Sequence, residues 1–465
     1  MGDIIAILKE ETVAGSLIFA KNSSHSPNEA FLTLQVEARE YGSGDVVKTT
    51  TIELPQVRRS YGMVMQKPKW CWGCETGMNE KGLSIGCETA ATKATPKPNP
   101  RGLIGNDICR LVLERSADAR EGSDLIIELL ARYGHCSWAP GSLDARRYRD
   151  YNYLLADKDS IYVIETAGPH WVRKMVTEDE RLYSVSNMLA IGRDYDDRSD
   201  SVRKLEKGGA RIAWDKTFGR SLIASFEGAP VRRYAFRDSV LTDLEGPAMR
   251  ASKMDGFIAF NSGGVRHGDG IGVTYHTFIT ALRRHMRQNM DRPSQPCTHF
   301  GDTKKSLHTV GSFISAPGMN MVCTTASSTP CRSIFKPIYL GGKTPFFREG
   351  QEIEAERYWI RREIVVRSSF TDRIEKVRFK NGINDIEYAY DHETESLDLG
   401  SPEELSAFNA RVWEYDEKYY EQNLRRAGKT ARELRPNIST IFFKRLWGPV
   451  NQALIERARE IGGVL

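Results

Sequence analysis

Several residue groups in this sequence could do chemistry. Lys21-Asn22-Ser23-Ser24 follows the short apolar run Leu17 to Ala20, so an ammonium, an amide and two hydroxyls stand just beyond a buried segment. Lys21 can hold a carboxylate or perturb a nearby amine; its plainer role is a solvated lysine past a strand end. Cys71-Trp72-Gly73-Cys74 is a Cys-x-x-Cys. With no second such pair and no His-x-x-x-His, it makes a weak case for zinc. A redox pair needs a helix N-terminus to lower a thiol pKa, and this context reads as strand, so two small buried side chains are expected. Arg332 and Lys336 can bind a carboxylate or brace a loop. The histidines are scattered, with no triad-like spacing to Ser or Cys. Gly263, Gly264, Gly268, Gly270 and Gly272 do not match a nucleotide fingerprint. No metal and no cofactor are expected.

The elements that must position these groups begin at once. Ile4 to Leu8 is a nearly continuous apolar run, suited to a strand covered on both faces. Leu17 to Ala20 is the second arm of a buried hairpin. A free α-amine at the edge of such a core is poorly solvated and costly without a role. Leu32, Leu34 and Val36 alternate with polar residues as a half-buried strand, and Val46 to Leu54 reads as its partner across Gly42 to Asp45. Tyr61 to Met65 and Gly82 to Gly86 add strands. Ala91 to Gly102 is a loop. Helices follow around Ile108 to Val112 and from Ser123-Asp124 to a Gly134 cap. Tyr153 to Ala156 and Ile161 to Ile164 form a hairpin, continued by Trp171 to Val176 and Leu182 to Ser186. Val202 to Ala213 reads as a helix, and His276 to Met290 as a basic amphipathic one. Short strands flank Pro317-Gly318. Glu352 to Arg373, Ser401 to about Arg426 and much of Glu433 to Ile461 read as helices, the second with a strong start at Ser401-Pro402-Glu403-Glu404. The pattern alone gives α/β or α+β.

The 465 residues are 40% hydrophobic and 27% charged, a globular balance. A net charge of +5 on this length gives no reason to expect nucleic acid. No apolar run approaches the ~20 residues of a membrane helix. Met-Gly opens the chain, but Ala6 stands where a myristoylation signal wants Ser or Thr. Eight scattered cysteines without a secretory leader suggest a reduced, cytoplasmic protein. A homo-oligomer is left open.

Three blocks carry a family likeness. Gly2-Asp3-Ile4-Ile5-Ala6 with Phe19-Ala20-Lys21-Asn22-Ser23 resembles the start of the secernin and bacterial dipeptidase family, peptidase family C69, which typically begins Cys-Asp-Thr and continues to Phe-Gly-Lys-Asn-Ser. Pro68 to Gly82, with Trp70, Trp72, Glu75 and Asn79-Glu80-Lys81-Gly82, resembles the family's Trp-x-Trp-Gly-x-Glu block. Thr325 to Pro337, with Arg332-Ser333-Ile334-Phe335-Lys336-Pro337, resembles its third block.

The resemblance implies an α+β fold, the αββα sandwich of N-terminal nucleophile hydrolases, over residues 1–345, with residues 346–465 as a helical extension packed on it. It implies amide hydrolysis of dipeptides or small N-acyl amino compounds. The first residue of the mature chain would supply the nucleophile, its α-amine the base, and Asn187 would stabilise the oxyanion. Lys21 and Asn22 would support the chain start; Trp70, Trp72, Glu75, Cys87 and Arg332 would contact the substrate, Cys87 standing where the family often has Asn, so that nothing in the resemblance supports it as a substitute nucleophile. Gly2 stands where the family has its cysteine and cannot attack a carbonyl. This chain is therefore expected to be silent, either as a natural binding protein or as an inactivated hydrolase. An acyl-transfer enzyme on the same fold is the third reading.

Overall fold

The computed structural model describes residues 2–94, 101–136, 150–244, 272–285, 295–300, 307–369, 373–433 and 441–462. The first apolar run is strand β1 (Gly2–Ile7), buried throughout. The chain returns as β2 (Ile18–His25), antiparallel to β1, with Ile4 opposite Lys21 and Gly2 opposite Ser23. β2 thus continues past Ala20, where polarity suggested it would stop. Strand alternation puts Lys21, Ser23 and His25 on one face and Asn22 and Ser24 on the other.

The strand β3 (Phe31–Val36) comes next, followed by the short β4 (Arg39–Glu40), β5 (Val46–Lys48), β6 (Glu53–Pro55) and β7 (Arg59–Ser60). Val46 to Leu54 does not pair with β3. β5 pairs with β6 as a separate hairpin, and β3 pairs with β8 (Met63–Pro68). Only Val47 and Leu54 of β5 and β6 are buried, too little apolar surface for an inner strand. β9 (Thr76–Asn79) and β10 (Ser84–Ala90) complete the first stretch of sheet.

Two helices follow, α1 (Gly105–Arg115) and α2 (Ala119–Tyr133). α2 starts earlier than Ser123-Asp124 suggested, because the Asp118 carboxylate accepts from the Glu121 N–H at 2.8 Å and caps it. It ends at Gly134, whose φ of 67° suits glycine.

Sheet resumes with β11 (Asp150–Ala156), β12 (Ile161–Ala167), β13 (His170–Met175), β14 (Leu182–Val185) and β15 (Asp197–Arg198). The helix expected over 202–213 is broken into the single turn α3 (Asp200–Arg203) and a 3-10 turn at Lys207–Gly209, where Gly208 has a φ of 63°. α4 (Trp214–Phe218), α5 (Ser221–Phe226), α6 (Ala229–Leu244) and α7 (Tyr275–Leu282) follow. The strands β16 (His308–Ala316), β17 (Met321–Thr324), β18 (Lys336–Tyr339) and β19 (Phe347–Arg348) lead to α8 (Glu352–Ser368), α9 (Arg373–Glu395), α10 (Pro402–Glu433) and α11 (Ile441–Ile461). The helix read over His276 to Met290 ends at Leu282, with Arg283 as its cap; residues 286–290, residues 95–100 of the expected loop, and Gly263, Gly264, Gly268 and Gly270 lie outside the described residues.

The long strands form two sheets. One runs β14-β1-β2-β16-β17-β18, the other β15-β13-β12-β11-β10-β9-β8-β3-β19. Among the strand pairs of the described residues, only β3–β19 is parallel. The sheets meet face to face, with β1 against β10 and β11, and Ser84 Oγ hydrogen-bonded to Ser315 Oγ between them at 2.7 Å. α6 covers β1 and β14, and α7 covers β2 and β16. α1 and α2 lie on the opposite sheet, against β9 to β12. The architecture is therefore α+β, two sheets between helical layers. α8 packs on β3, and α10 on both β18 and α8. A strand with both faces covered needs apolar side chains on both, which explains the unbroken Ile4-Ile5-Ala6-Ile7.

Candidate active site

The two sheets close over the start of β1. The Gly2 N–H donates to Asn187 Oδ1 at 3.2 Å, just past the end of β14. The same oxygen accepts from Arg232 Nη2 of α6 at 2.7 Å. Asn187 Nδ2 donates to Glu88 Oε2 at 3.1 Å and to the Thr89 carbonyl at 2.8 Å. Two donors on the oxygen side and a carboxylate on the nitrogen side fix the orientation of the amide. Asn187 is thus anchored on all sides, and it meets the chain start as an acceptor.

Inward from β2, Lys21 Nζ is bonded to Glu88 Oε1 and lies 3.8 Å from Glu75 Oε2. Burial alone would push the Lys21 ammonium towards neutrality, but Glu88 and Glu75 outweigh it and hold its pKa above the ordinary lysine value. Four residues on, His25 Nε2 is 2.5 Å from Glu75 Oε1, and Nδ1 is 3.3 Å from Glu29 Oε1. Burial again disfavours the charge, yet the two carboxylates raise the His25 pKa to about 10. Burial pushes the Glu75 carboxyl up, whereas His25 and Lys21 pull it further down, well below the usual range. Glu29 also accepts from Trp70 Nε1 at 2.8 Å. Behind β1, Arg232 Nε contacts both Asp3 carboxylate oxygens, at 3.2 and 3.0 Å, and Ser186 Oγ donates to the same group.

The result is a buried, nearly charge-matched cluster. Lys21, His25 and Arg232 face Asp3, Glu29, Glu75 and Glu88, one carboxylate more than the cations. Glu75 and Glu88 are already matched with ammonium and imidazolium, which does not suit them to ligate a metal. Ser23 Oγ, between Lys21 and His25 on the same face and opposite Gly2, is buried and has no hydrogen-bond partner among the described residues. Thr76 Oγ1, next to Glu75, is in the same state.

Of the residues singled out from the sequence, the structure brings Gly2, Lys21, Glu75 and Asn187 together, with Trp70 at the edge through Glu29. It does not bring the others. The Asn22 side chain points to the helical layer, donating to the Leu282 and Pro296 carbonyls at 3.0 and 2.9 Å and accepting from Ser312 Oγ at 2.6 Å. Alternation along β2 makes that unavoidable once Lys21 faces inward. Cys87 faces the helical side of its sheet, in the apolar cluster with Cys74, Cys109 and Leu83, because its neighbour Glu88 faces in. Trp72 lies under the Arg110 guanidinium, which is 4.1 Å from its ring centre, and the Trp72 backbone N–H donates to Thr50 Oγ1. Arg332 Nη1 donates to Ser369 Oγ at 2.7 Å. Lys336 is bonded to Asp416 at 3.0 Å, inside a buried group with Arg362 and Tyr358. Cys71 and Cys74 are buried, and burial pushes both thiols well up.

Sequence reading missed Glu88, His25, Arg232 and Asp3, and it named Ser23 only as one hydroxyl of the polar group after Ala20. The signal for Glu88 was present: if Ile85 and Cys87 face the helices, Gly86 and Glu88 must face the other sheet. Arg232 had none, since α6 reaches β1 from more than two hundred residues away.

Residues 5–204 match the family model of peptidase family C69. Among solved structures, the chain is similar to penicillin V acylase from Agrobacterium tumefaciens, at 11% identity over 75% of this chain and 88% of that one, with a TM-score of 0.42. It is similar to a mutant of the conjugated bile acid hydrolase from Clostridium perfringens, at 11% identity over 73% and 92%, with a TM-score of 0.41. An N-acylethanolamine-hydrolyzing acid amidase orthologue from Caenorhabditis elegans matches at 11% identity over 68% and 93%, with a TM-score of 0.32. Among the described residues, no helix is long and apolar enough to cross a membrane.

Proposed function

We propose that this chain carries the scaffold of a C69-type amide-bond hydrolase of the N-terminal nucleophile class, with Gly2 in the nucleophile's place. Its ligands are dipeptides or small N-acyl amino compounds, and it does not cleave them through an N-terminal acyl-enzyme. The observation that carries this reading is the Gly2 nitrogen held by Asn187 amid Lys21, Glu75 and Glu88. Removal of Met1 would turn that nitrogen into an α-amine and add one cation where the carboxylates are in excess. In a cysteine enzyme of this class the amine takes the thiol proton, the thiolate attacks, and water releases the acyl group. Glycine leaves the amine and removes the thiol.

The natural binding-protein form of this reading has its own support. A Cβ built on Gly2 would collide with the Asn22 carbonyl oxygen and the Glu88 carboxylate. The start of β1 is fitted to a glycine, and a cysteine would enter only after β1 or Glu88 moves.

The test sets this chain beside Gly2→Cys on a panel of dipeptides and N-acyl amino acids, with intact mass read for an acyl adduct and for loss of Met1. Turnover or adduct in Gly2→Cys alone supports the hydrolase scaffold. Ligand binding to both chains without turnover in either supports the binding protein. Turnover by this chain with Gly2 in place overturns both.

A further inference from the structure

On the outer side of β2, three separate segments converge at a point unrelated to Gly2. His285 follows α7. Cys297 and His299 lie in the stretch leading towards β16. Cys331 lies in the turn between β17 and β18. Each offers one ligand atom, and all four atoms lie within 4.8 Å of one another. Nε2 of His299 is 3.3 Å from Sγ of Cys297 and 3.4 Å from Sγ of Cys331. A tetrahedral zinc with its usual bond lengths sets a nitrogen–sulfur edge of about 3.6 Å. The His285 and His299 rings meet edge-on, with centroids 4.8 Å apart, as two imidazoles sharing an ion do.

We propose that His285, Cys297, His299 and Cys331 form a tetrahedral two-cysteine, two-histidine site for zinc. Two thiolates and two imidazoles are the donor set that selects zinc among available divalent ions. The two thiolates cancel the ion's charge, which suits a site whose Cys297 is buried. Four protein ligands leave no open position, so the ion is structural rather than hydrolytic. Gln295 Oε1 lies 3.0 Å from Nδ1 of His285 and supplies the kind of outer partner that orients a ligating ring.

The position gives the ion a task. Pro296, next to Cys297, accepts from Asn22 Nδ2, and the Thr298 N–H donates to Thr309 Oγ1 at 2.9 Å. An ion joining Cys297 and His299 to His285 and Cys331 would clamp this stretch against β2 and β16, the strands that carry Lys21 and Ser312. Short-range spacing hides the site: apart from Cys297-x-His299, the ligands are separated by 12 and 32 positions, and only folding brings them together. The expectation of no metal is replaced by this one.

The test uses the full chain, purified under reductant without chelator. About one zinc per chain is expected by elemental analysis, and Cys331→Ser and His299→Ala should lose it while Cys71→Ser keeps it. Metal-free protein titrated with Co2+ should give thiolate charge-transfer and tetrahedral visible bands that saturate at one equivalent. His285→Ala, at an exposed ligand where folding is not at risk, should weaken Co2+ by more than about tenfold. The proposal is overturned if the chain neither retains zinc nor gives the cobalt bands, if Cys71→Ser rather than Cys331→Ser loses the metal, if iron is found instead, or if mass shows a Cys297–Cys331 disulfide in the reduced preparation.

Discussion

The backbone nitrogen of Gly2 and the side-chain oxygen of Asn187 are 3.2 Å apart across 185 positions of sequence. That one bond ties the start of β1 to the end of β14, and through Arg232 to α6. Replacing Asn187 with Leu would remove the acceptor of the Gly2 N–H and of Arg232 Nη2, a buried guanidinium that keeps Asp3 on its Nε side. Urea unfolding of Asn187→Leu should show a loss of about 2–4 kcal/mol. A loss below about 0.5 kcal/mol would mean that the amide is not what holds the strand start.

Lys21 answers Glu88 and Glu75 with no solvent to share the charge. Lys21→Met keeps the length and removes the ammonium, leaving Glu88 between the sheets without its cation and Glu75 with His25 alone. The expected destabilisation is about 3–5 kcal/mol. The double variant Lys21→Met with Glu88→Gln should recover part of it. No recovery would show that packing of the lysine stem, rather than charge matching, dominates.

Gly2→Ala tests the fit of the strand start directly. The added methyl meets the Asn22 carbonyl and Glu88, so a loss of about 1–3 kcal/mol is expected from overpacking. Thermal unfolding of the two chains measures it. Unchanged stability would mean that β1 shifts freely, and a thiol at this position would then be accommodated as well.

His25 has a folded pKa of about 10 against 6.5 for the unpaired ring. Between those values the folded chain keeps a proton that the unfolded chain has released. Its contribution to stability is therefore full below about pH 6.5 and is lost as pH rises through about 10. Denaturant unfolding from pH 7 to 10.5 should show this fall, and His25→Gln should flatten it. The same slope in both chains would place the titration elsewhere.

Much of the fold was legible because burial writes itself into residue type. Ile4 to Ile7 had to be a covered strand, the β11–β12 hairpin carries turn residues at Asp157-Lys158-Asp159, and Ser401-Pro402-Glu403 opens α10 as its cap chemistry requires. The early start of α2 was missed because Asp118 and Ser123-Asp124 are both competent caps and only packing chooses between them.

By itself, the sequence determined that the chain starts on a strand with both faces covered, that no nucleophile stands at position 2, and that polar groups cluster at Lys21 to Ser24. Tertiary structure alone decided which of those groups face each other. Alternation along β2 and β10 sends Lys21 and Glu88 into one space and Asn22 and Cys87 away from it, but only the register between strands sets the phase. Likewise, only chain crossings bring Arg232 to Asp3 and gather His285, Cys297, His299 and Cys331. Such contacts depend on distance in space, which local propensity and spacing along the chain do not encode.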